Sequence, residues 1–539
     1  MKLTMFSVFL SVILSSAAFA EQRVIVVMKD AKSFHAANLA YKNKDLTLWK
    51  SVRMDEEALK GVEHSLENLK TFIVMAKDQA EIARLKANPA VAIVEEEVFH
   101  PLPQPMQGFL GRPMPSVTLP GAKTPWGIMA VKAPAAWDKS KSGEGARVLV
   151  LDTGIDKDHP AIKANFERGQ DFTGRSTGSD FSDVVGHGTH VSGTVAGVLN
   201  EETGFTGVAP KAKLLMGRVC SNLGCSSSAI VQGINWGISQ KVDVISMSLG
   251  GAWSTPAERD AVNKADGAGL SIVAASGNDG SGKVSFPAAL STVVAVGAVS
   301  EDLVRADFSQ YGPELAVVAP GVEVLSSVPR GTGRDAETSI DTGASNDKVK
   351  STSFQGAREV FTPETKELVA AGLGKPEDFK NIDVKGKYAL VSRGEIFFAD
   401  KAKNAAAAGA LGIIIYNNAP GLIQGALTAD GSTLPVVAFM IEQTVGQNVL
   451  SMLGAGKVVK ATVRTIATDY TEFQGTSMAT PHVAGVVALM KAANPRLKGA
   501  QVKAILKQSA TPMAPNDKNQ YGAGLVNAEA AVNAAMQAR

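Results

Sequence analysis

Cysteine is almost absent from this sequence: its 539 residues include only two, Cys220 and Cys225 in the stretch VCSNLGCSSS. That excludes a disulfide framework as the source of the fold. Charge of one sign is lacking too. The formal net charge is +2 and no run of five or six like charges occurs, so nothing marks a nucleic-acid surface or a polybasic membrane contact. No internal repeat is evident. The apolar run at the N-terminus, Met5 to Leu14, falls short of the roughly 20 residues a spanning helix needs. What is present, 45% hydrophobic and 20% charged residues, is the balance of a soluble globular protein of several domains.

The short apolar run follows Lys2 and precedes Ala18-Phe19-Ala20, the layout of a secretory signal cleaved before Glu21. Residues 1–20 are therefore expected to direct export, to the periplasm or the exterior, with no membrane anchor; no cysteine at the cleavage site offers a lipid attachment point. Export brings Cys220 and Cys225 into an oxidising compartment and predicts a disulfide between them. Closing so short a loop gains roughly 2 kcal/mol, enough to pin one loop.

Residues 21–100 read as a small α+β domain. RVIVVM at 23, TFIVM at 71 and VAIVEEE at 91 are strand-like, and Asp78 with Glu81 three residues on predicts a helix start. Prolines at 101, 103, 105, 113, 115, 120 and 125 then make 101–125 an extended linker. Beyond it, continuous apolar runs such as ARVLVLD at 146, AKLLMGRV at 212, VDVISMSL at 242 and LSIVAASGN at 270 alternate with helical stretches. This is the pattern of a parallel sheet covered on both faces, an α/β fold. A second α/β segment, 340–465, has its own strands (YALVSRG, IIIYNN, LPVVAFM) and helices, one of them alanine-rich from 398.

Chemistry-bearing residues stand at the ends of these elements. Asp152 closes the strand VLVLD, where sites of open α/β sheets lie. VGHGTHVSGTVAG holds His187 and His190 three residues apart, and this spacing, without a glutamate, excludes the His-Glu-x-x-His zinc site; spacing alone does not choose between the two. Asn278, just past a strand end, could donate to a developing oxyanion. Ser477 opens the helix of FQGTSMATPHVAG, near unpaired backbone N–H groups and the positive end of a helix dipole. Pro481 predicts that this helix starts close to Ser477, with the proline in its first turn. Gly-Thr-Ser-Met-Ala is not the nucleophile elbow of the α/β-hydrolases, and His482, the only histidine downstream, shares the serine's helix, so an Asp, His, Ser order remains.

Together DTGID, HGTHVSGT, SMSLGG, AASGN and GTSMATPHVAG resemble the subtilisin-like (S8) serine peptidases over about 125–330 and 469–535. The resemblance implies that Asp152 orients His187, that His187 deprotonates Ser477, and that Asn278 holds the oxyanion. It also implies that Ser248, Leu249, Gly250, Ala275 and Gly277 bind an extended peptide, with apolar P1 residues favoured because no carboxylate is among them. Residues 21–100 resemble the family's inhibitory propeptide, with the maturation cut in the linker, and 340–465 resembles a protease-associated (PA) domain inserted in a peptidase domain of 126–535. No cofactor is required for such a reaction. Structural calcium occurs in relatives, but Ala161 stands where one ligand would fall, although the loop 199–205 keeps Asn200. The implied protein is an exported endopeptidase made as a zymogen, with protein or peptide substrates; the competing reading is a non-catalytic binding protein built on a protease scaffold.

Overall fold

The computed structural model describes residues 21–54, 56–101, 124–174, 180–200, 204–221, 223–419, 421–422, 427–428 and 432–539. The expected export signal and most of the expected linker, with its maturation site, lie outside them, as do residues 201–203 of the loop considered for calcium. Two units emerge, one ending at Val98 and taking in Thr255–Ala257, the other formed by Phe99–Ser254 and Glu258–Arg539.

In the first unit, strands β1 (Gln22–Met28), β2 (Val62–Leu66), β3 (Thr71–Ala76) and β4 (Val91–Glu96) form an antiparallel sheet in the order β2-β3-β1-β4. Val24, Val26, Phe72 and Val74 build its core with the fully buried Trp49 and with Phe34 of helix α1 (Ala31–Asn43). Helix α2 (Gln79–Ala87) begins as predicted, Asp78 accepting the Glu81 N–H at 2.8 Å. Neither α1 nor β2 follows from the sequence pattern. Asp30 caps α1 through Ser33 N, a signal without a glutamate at the third position, and VEHSL of β2 is mostly polar.

The second unit opens with a two-residue strand, β5 (Phe99–His100). Its main sheet is wholly parallel. Strands β6 (Arg147–Asp152), β7 (Phe166–Asp171) and β8 (Lys213–Arg218) are followed, after a hairpin of β9 (Cys220–Ser221) and β10 (Gly224–Ser226), by β11 (Val244–Met247), β12 (Ser271–Ala275), β13 (Val294–Val299) and β14 (Leu315–Pro320). The order β14-β13-β12-β11-β6-β8-β7 puts β6 between β11 and β8, with Val148 opposite both Val244 and Leu214. Strands β11 to β14 are buried at every residue, which is why they read as unbroken apolar runs instead of alternating ones. Helices cover the faces: α3 (His187–Ala196), α4 (Ser227–Gln240) and α5 (Pro256–Gly267) precede the insert.

Strand β15 (Val324–Ser327) leads to the insert, a mixed eight-stranded sheet. Its members are β16 (Gly333–Asp341), β17 (Asn346–Val349), β18 (Ser351–Ser353), β19 (Glu364–Ala370), β20 (Tyr388–Ser392), β21 (Gly412–Tyr416), β22 (Val437–Ile441) and β23 (Lys460–Thr468). Alternate residues of β20 and β21 feed two apolar clusters, Ile413 and Ile415 beside Phe398 and Ala402 of helix α6 (Phe398–Ala407), and Leu390 and Ile414 beside Val449 of helix α7 (Gln443–Gly454). The strands reach beyond the expected 340–465, because β16 and β23 pair along their full length from Gly333↔Thr468 to Asp341↔Lys460. That ribbon carries the chain out and back. β24 (Tyr470–Phe473) then pairs with β15 and delivers the chain to helix α8 (Thr476–Ala493).

Helix α8 is buried from Thr476 to Lys491 and packs on α3 and on β11, β12 and β13. Small side chains at Ala479, Ala484, Gly485 and Ala488 permit that closeness; a Cβ on Gly485 would lie 2.5 Å from Val208 Cβ. Leu489, fully buried in this helix, should therefore be costly to truncate: Leu489→Ala is expected to lose about 2–5 kcal/mol and to lower the midpoint of thermal unfolding. An unchanged midpoint would contradict the packing described.

Candidate active site

Asp152 ends β6 at the carboxyl edge of the sheet and is fully buried. Its Oδ1 accepts the Thr153 N–H at 2.7 Å and the His187 Nδ1–H at 2.8 Å, which leaves the acceptor lone pair of a neutral imidazole on Nε2. His187 Nε2 is buried and has no hydrogen-bond partner among the described residues. Gly188 allows the pair to form, since a Cβ there would lie 2.2 Å from Gly154 O and 3.2 Å from Asp152 Cβ.

The second histidine does something else. His190 Nε2 contacts the carbonyls of Val324 (2.9 Å) and Thr471 (3.2 Å), and its ring stacks on Phe473 with centroids 4.5 Å apart. Burial, helped by the neighbouring His187, lowers its pKa to about 3, and burial lowers that of His482 to about 4. His190 is thus a neutral donor tying α3 to the β15–β24 pair, so geometry separates two histidines that spacing could not.

Asp183, which the sequence reading missed, organises the entry to α3. Its Oδ1 accepts Val185 N, Gly186 N and Thr153 Oγ1, and its Oδ2 accepts Thr189 N and Thr189 Oγ1, all at 2.6 to 3.0 Å. Thr153 Oγ1 in turn accepts Gly188 N at 2.9 Å. One buried carboxylate therefore fixes both the turn after Asp152 and the helix start that carries His187. The available signal was an aspartate just ahead of a Gly-His helix start, an acid placed to satisfy unpaired N–H groups.

Ser477 is the second residue of α8 and is 7% exposed. Its Oγ donates to Ser248 O at 3.0 Å, so no hydrogen bond to His187 forms in this structure. The expectation that Pro481 lies in the first turn is not met: the helix starts at Thr476, next to Ser477 as expected, but Pro481 falls in the second turn. The reason is a compensation. Without an N–H, Pro481 cannot donate to the carbonyl four residues back, and that carbonyl, Ser477 O, instead accepts Ser248 Oγ at 2.8 Å. Ser248 and Ser477 therefore hold each other by two reciprocal bonds.

Asn278 lies at the same helix start. Its Oδ1 accepts Thr476 N (2.8 Å) and Thr476 Oγ1 (2.9 Å), which commits the oxygen and leaves the amide N–H groups to face elsewhere. Gly277, at φ +109°, donates its N–H to Thr476 Oγ1 at 3.1 Å; a side chain there would strike Gln310 Oε1. Ala275 ends β12, buried. Leu249 and Gly250 line a cavity together with His100.

Cys220 and Cys225 are disulfide-bonded, as expected, and face each other across the β9–β10 hairpin. The free edge of that hairpin carries β5: His100 is opposite Cys225 and Phe99 opposite Ser226, antiparallel. Gly224 (φ +114°) accommodates this, since a Cβ would lie 2.2 Å from His100 O. Ala161, which stands at one position considered for a calcium ligand, is buried. Among the described residues no group of three or more His, Cys, Asp or Glu could hold a metal.

Known proteins resemble this chain in sequence and in fold. The family model described as "Subtilase family" matches residues 143–360 and 422–524, more than half of the chain, and a PA domain model matches 364–449. Subtilisin NAT of Bacillus subtilis subsp. natto is 39% identical over 261 residues, 47% of this chain and 63% of the relative. An intracellular serine protease of Paenibacillus polymyxa is 42% identical over 215 residues, 38% of this chain and 65% of the relative. The chain thus spans just under two thirds of the length of these curated relatives. The crystal structure of Apa1, a psychrophilic subtilisin-like protease from the Antarctic psychrotroph Pseudoalteromonas sp. AS-11, is 31% identical with a TM-score of 0.57, covering 77% of this chain and 99% of that one.

Two outcomes follow from the site's bonding. Ser248→Ala should cost about 1–3 kcal/mol by leaving Ser477 O buried without its donor, and adding Pro481→Ala should recover part of that loss by restoring an N–H; a strictly additive double variant would refute the compensation. The buried histidines give a pH dependence. Their folded pKa values lie below the ordinary 6.5, so their contribution is intact above pH 6.5 and is lost as pH falls toward 4 and 3, where the unfolded chain binds protons that the folded one refuses. His190→Gln is expected to flatten the acid limb of a stability-against-pH curve below 6.5, measured by urea unfolding.

Proposed function

This chain belongs to the subtilase family, and on that premise we propose that it is a serine endopeptidase, exported and made as a zymogen, in which Asp152, His187 and Ser477 form the catalytic triad. The observation that carries the proposal is the fully buried Asp152–His187 pair, whose Nε2 lone pair is uncommitted, on a helix packed against the one that Ser477 opens. In the proposed reaction the Ser477 hydroxyl turns from Ser248 O to His187 Nε2 and attacks the peptide carbonyl. His187 takes the proton and passes it to the leaving amine, and water then hydrolyses the acyl-enzyme by the same route in reverse. Asp152 holds the imidazole in the right tautomer and stabilises the imidazolium. Asn278, its oxygen held by Thr476, turns an N–H toward the oxyanion.

The edge of β10 and the segment Ser248–Gly250 offer main-chain groups to an extended peptide, a mode of recognition by strand addition. The uncharged Ser248, Leu249, Gly250, Ala275 and Gly277 support a preference for apolar P1 residues. Occupation of the β10 edge by β5 supports autoinhibition, because the chain's own strand sits where a substrate strand would pair. A crevice lined by Val185 and Gly186, immediately before His187, and by Ser353–Arg358 and Phe439 of the insert supports a role for the PA domain in admitting substrate. No helix among the described residues is long and apolar enough to cross a membrane.

The decisive comparison is the intact mass of the exported wild type with that of Ser477→Ala. The wild type should lose residues 21 to somewhere in the linker, while the variant keeps them and loses about a millionfold in kcat, the loss a subtilisin suffers without its serine. Retention of the N-terminal residues by both, with no hydrolysis of casein, would replace the peptidase reading with that of a binding protein.

A further inference from the structure

His100 is not merely paired along its backbone. Its side chain, 7% exposed, lines a cavity together with Ile230, Met247, Leu249, Trp253 and Phe286, and its Nε2 lies 2.7 Å from Oε1 of Glu258, which lines the same cavity. Glu258, on α5, is 4% exposed, and its other oxygen accepts Ser254 Oγ at 3.3 Å. The indole of Trp253 lies beside the imidazole, with ring centroids 5.7 Å apart. Gly251 leaves the room: a Cβ there would come within 2.8 Å of His100 Nδ1. Leu249 and Gly250, directly after the residue that bonds Ser477, also line the cavity.

A cavity with these apolar walls would suffice for a leucine or phenylalanine. A carboxylate buried in its wall would not, because burying a charge against an apolar side chain is unfavourable, whereas a cationic or imidazole group supplies a donor and an opposite charge. An adjacent indole adds attraction for a cation over its face. We propose that this cavity is a specificity subsite in which Glu258 selects a histidine, arginine or lysine at the substrate position that pairs opposite Cys225, and that His100 is the chain's own occupant of it. The proposal rests on the reading that the β10 edge receives the substrate strand. It adds a second, basic determinant to an apolar preference at P1.

Two measurements separate this selection from the peptidase activity. In the full-length Ser477→Ala chain, hydrogen–deuterium exchange at the amides of Phe99, His100 and Cys225 reports how firmly β5 is held. His100→Arg should keep the protection, whereas His100→Leu, His100→Glu and Glu258→Gln should each speed exchange about tenfold or more; equal protection with leucine would overturn the proposal. For the mature enzyme, peptides that differ only at the corresponding position should be cleaved with kcat/KM about tenfold or more higher for His or Arg than for Leu, and Glu258→Gln should abolish that ratio. A ratio unaltered in Glu258→Gln would also overturn it. If the exchange ranking holds while the wild type cleaves nothing, the endopeptidase reading fails and the recognition of a basic side chain by Glu258 stands.

Discussion

Much of this structure depends on one missing N–H. Pro481 frees the carbonyl of Ser477 in an otherwise continuous buried helix, and a buried carbonyl must find a donor. Ser248, at the end of the central strand β11, supplies it and receives the Ser477 hydroxyl in return. The bond fixes the start of α8 against the sheet's carboxyl edge, where Asp152 and Asn278 also lie. A helix bonded normally at this point would have no such need of Ser248, and its first turn would be held by packing and by the bonds of Asn278 and Gly277 to Thr476.

The same economy governs the other half of the site. Asp152 and His187 are far apart in sequence but bound at 2.8 Å because Asp183 and Thr153 tie the turn after β6 to the first turn of α3. These supports use short polar side chains and backbone N–H groups in a setting from which water is excluded, where each bond is electrostatically stronger and a lost partner costs more. His190 extends the network to the β15–β24 pair, which brings the chain back from the insert to α8. The insert is thereby stapled in beside the site. It buries two apolar clusters of its own, and the ribbon of β16 and β23 accounts for where it leaves and rejoins.

Recognition of a peptide strand would use the hairpin that the disulfide closes. Cys220–Cys225 contributes little to the global fold, about 2 kcal/mol by loop entropy, yet it joins the two strands of the hairpin whose outer edge holds β5. Main-chain pairing there is indifferent to sequence, so any selectivity has to come from the cavities beside it. Among the described residues, Glu258 is the only carboxylate lining the one beside His100.

The sequence by itself determined the parallel α/β sheet, through unbroken apolar strands, and the candidate site residues, through motifs at strand and helix ends. It also determined strands β20 to β22 of the insert and the disulfide, but not β16 to β19, whose residues are largely polar. Local signals sufficed there, because periodicity, capping and Gly-rich turns act within a few residues. The sequence did not distinguish His187 from His190 without the family resemblance, and it put Pro481 one turn too early. It also left Asp183 and Glu258 unnoticed. Tertiary structure decided these, since each depends on a partner brought from elsewhere: Val324 and Thr471 for His190, Ser248 for the carbonyl ahead of Pro481, Thr153 for Asp183 and His100 for Glu258. A side chain's charge and hydrogen-bonding capacity are written in the sequence, but whether a neighbour satisfies them is settled only by packing, which brings distant residues within 3 Å and removes the water that would otherwise serve.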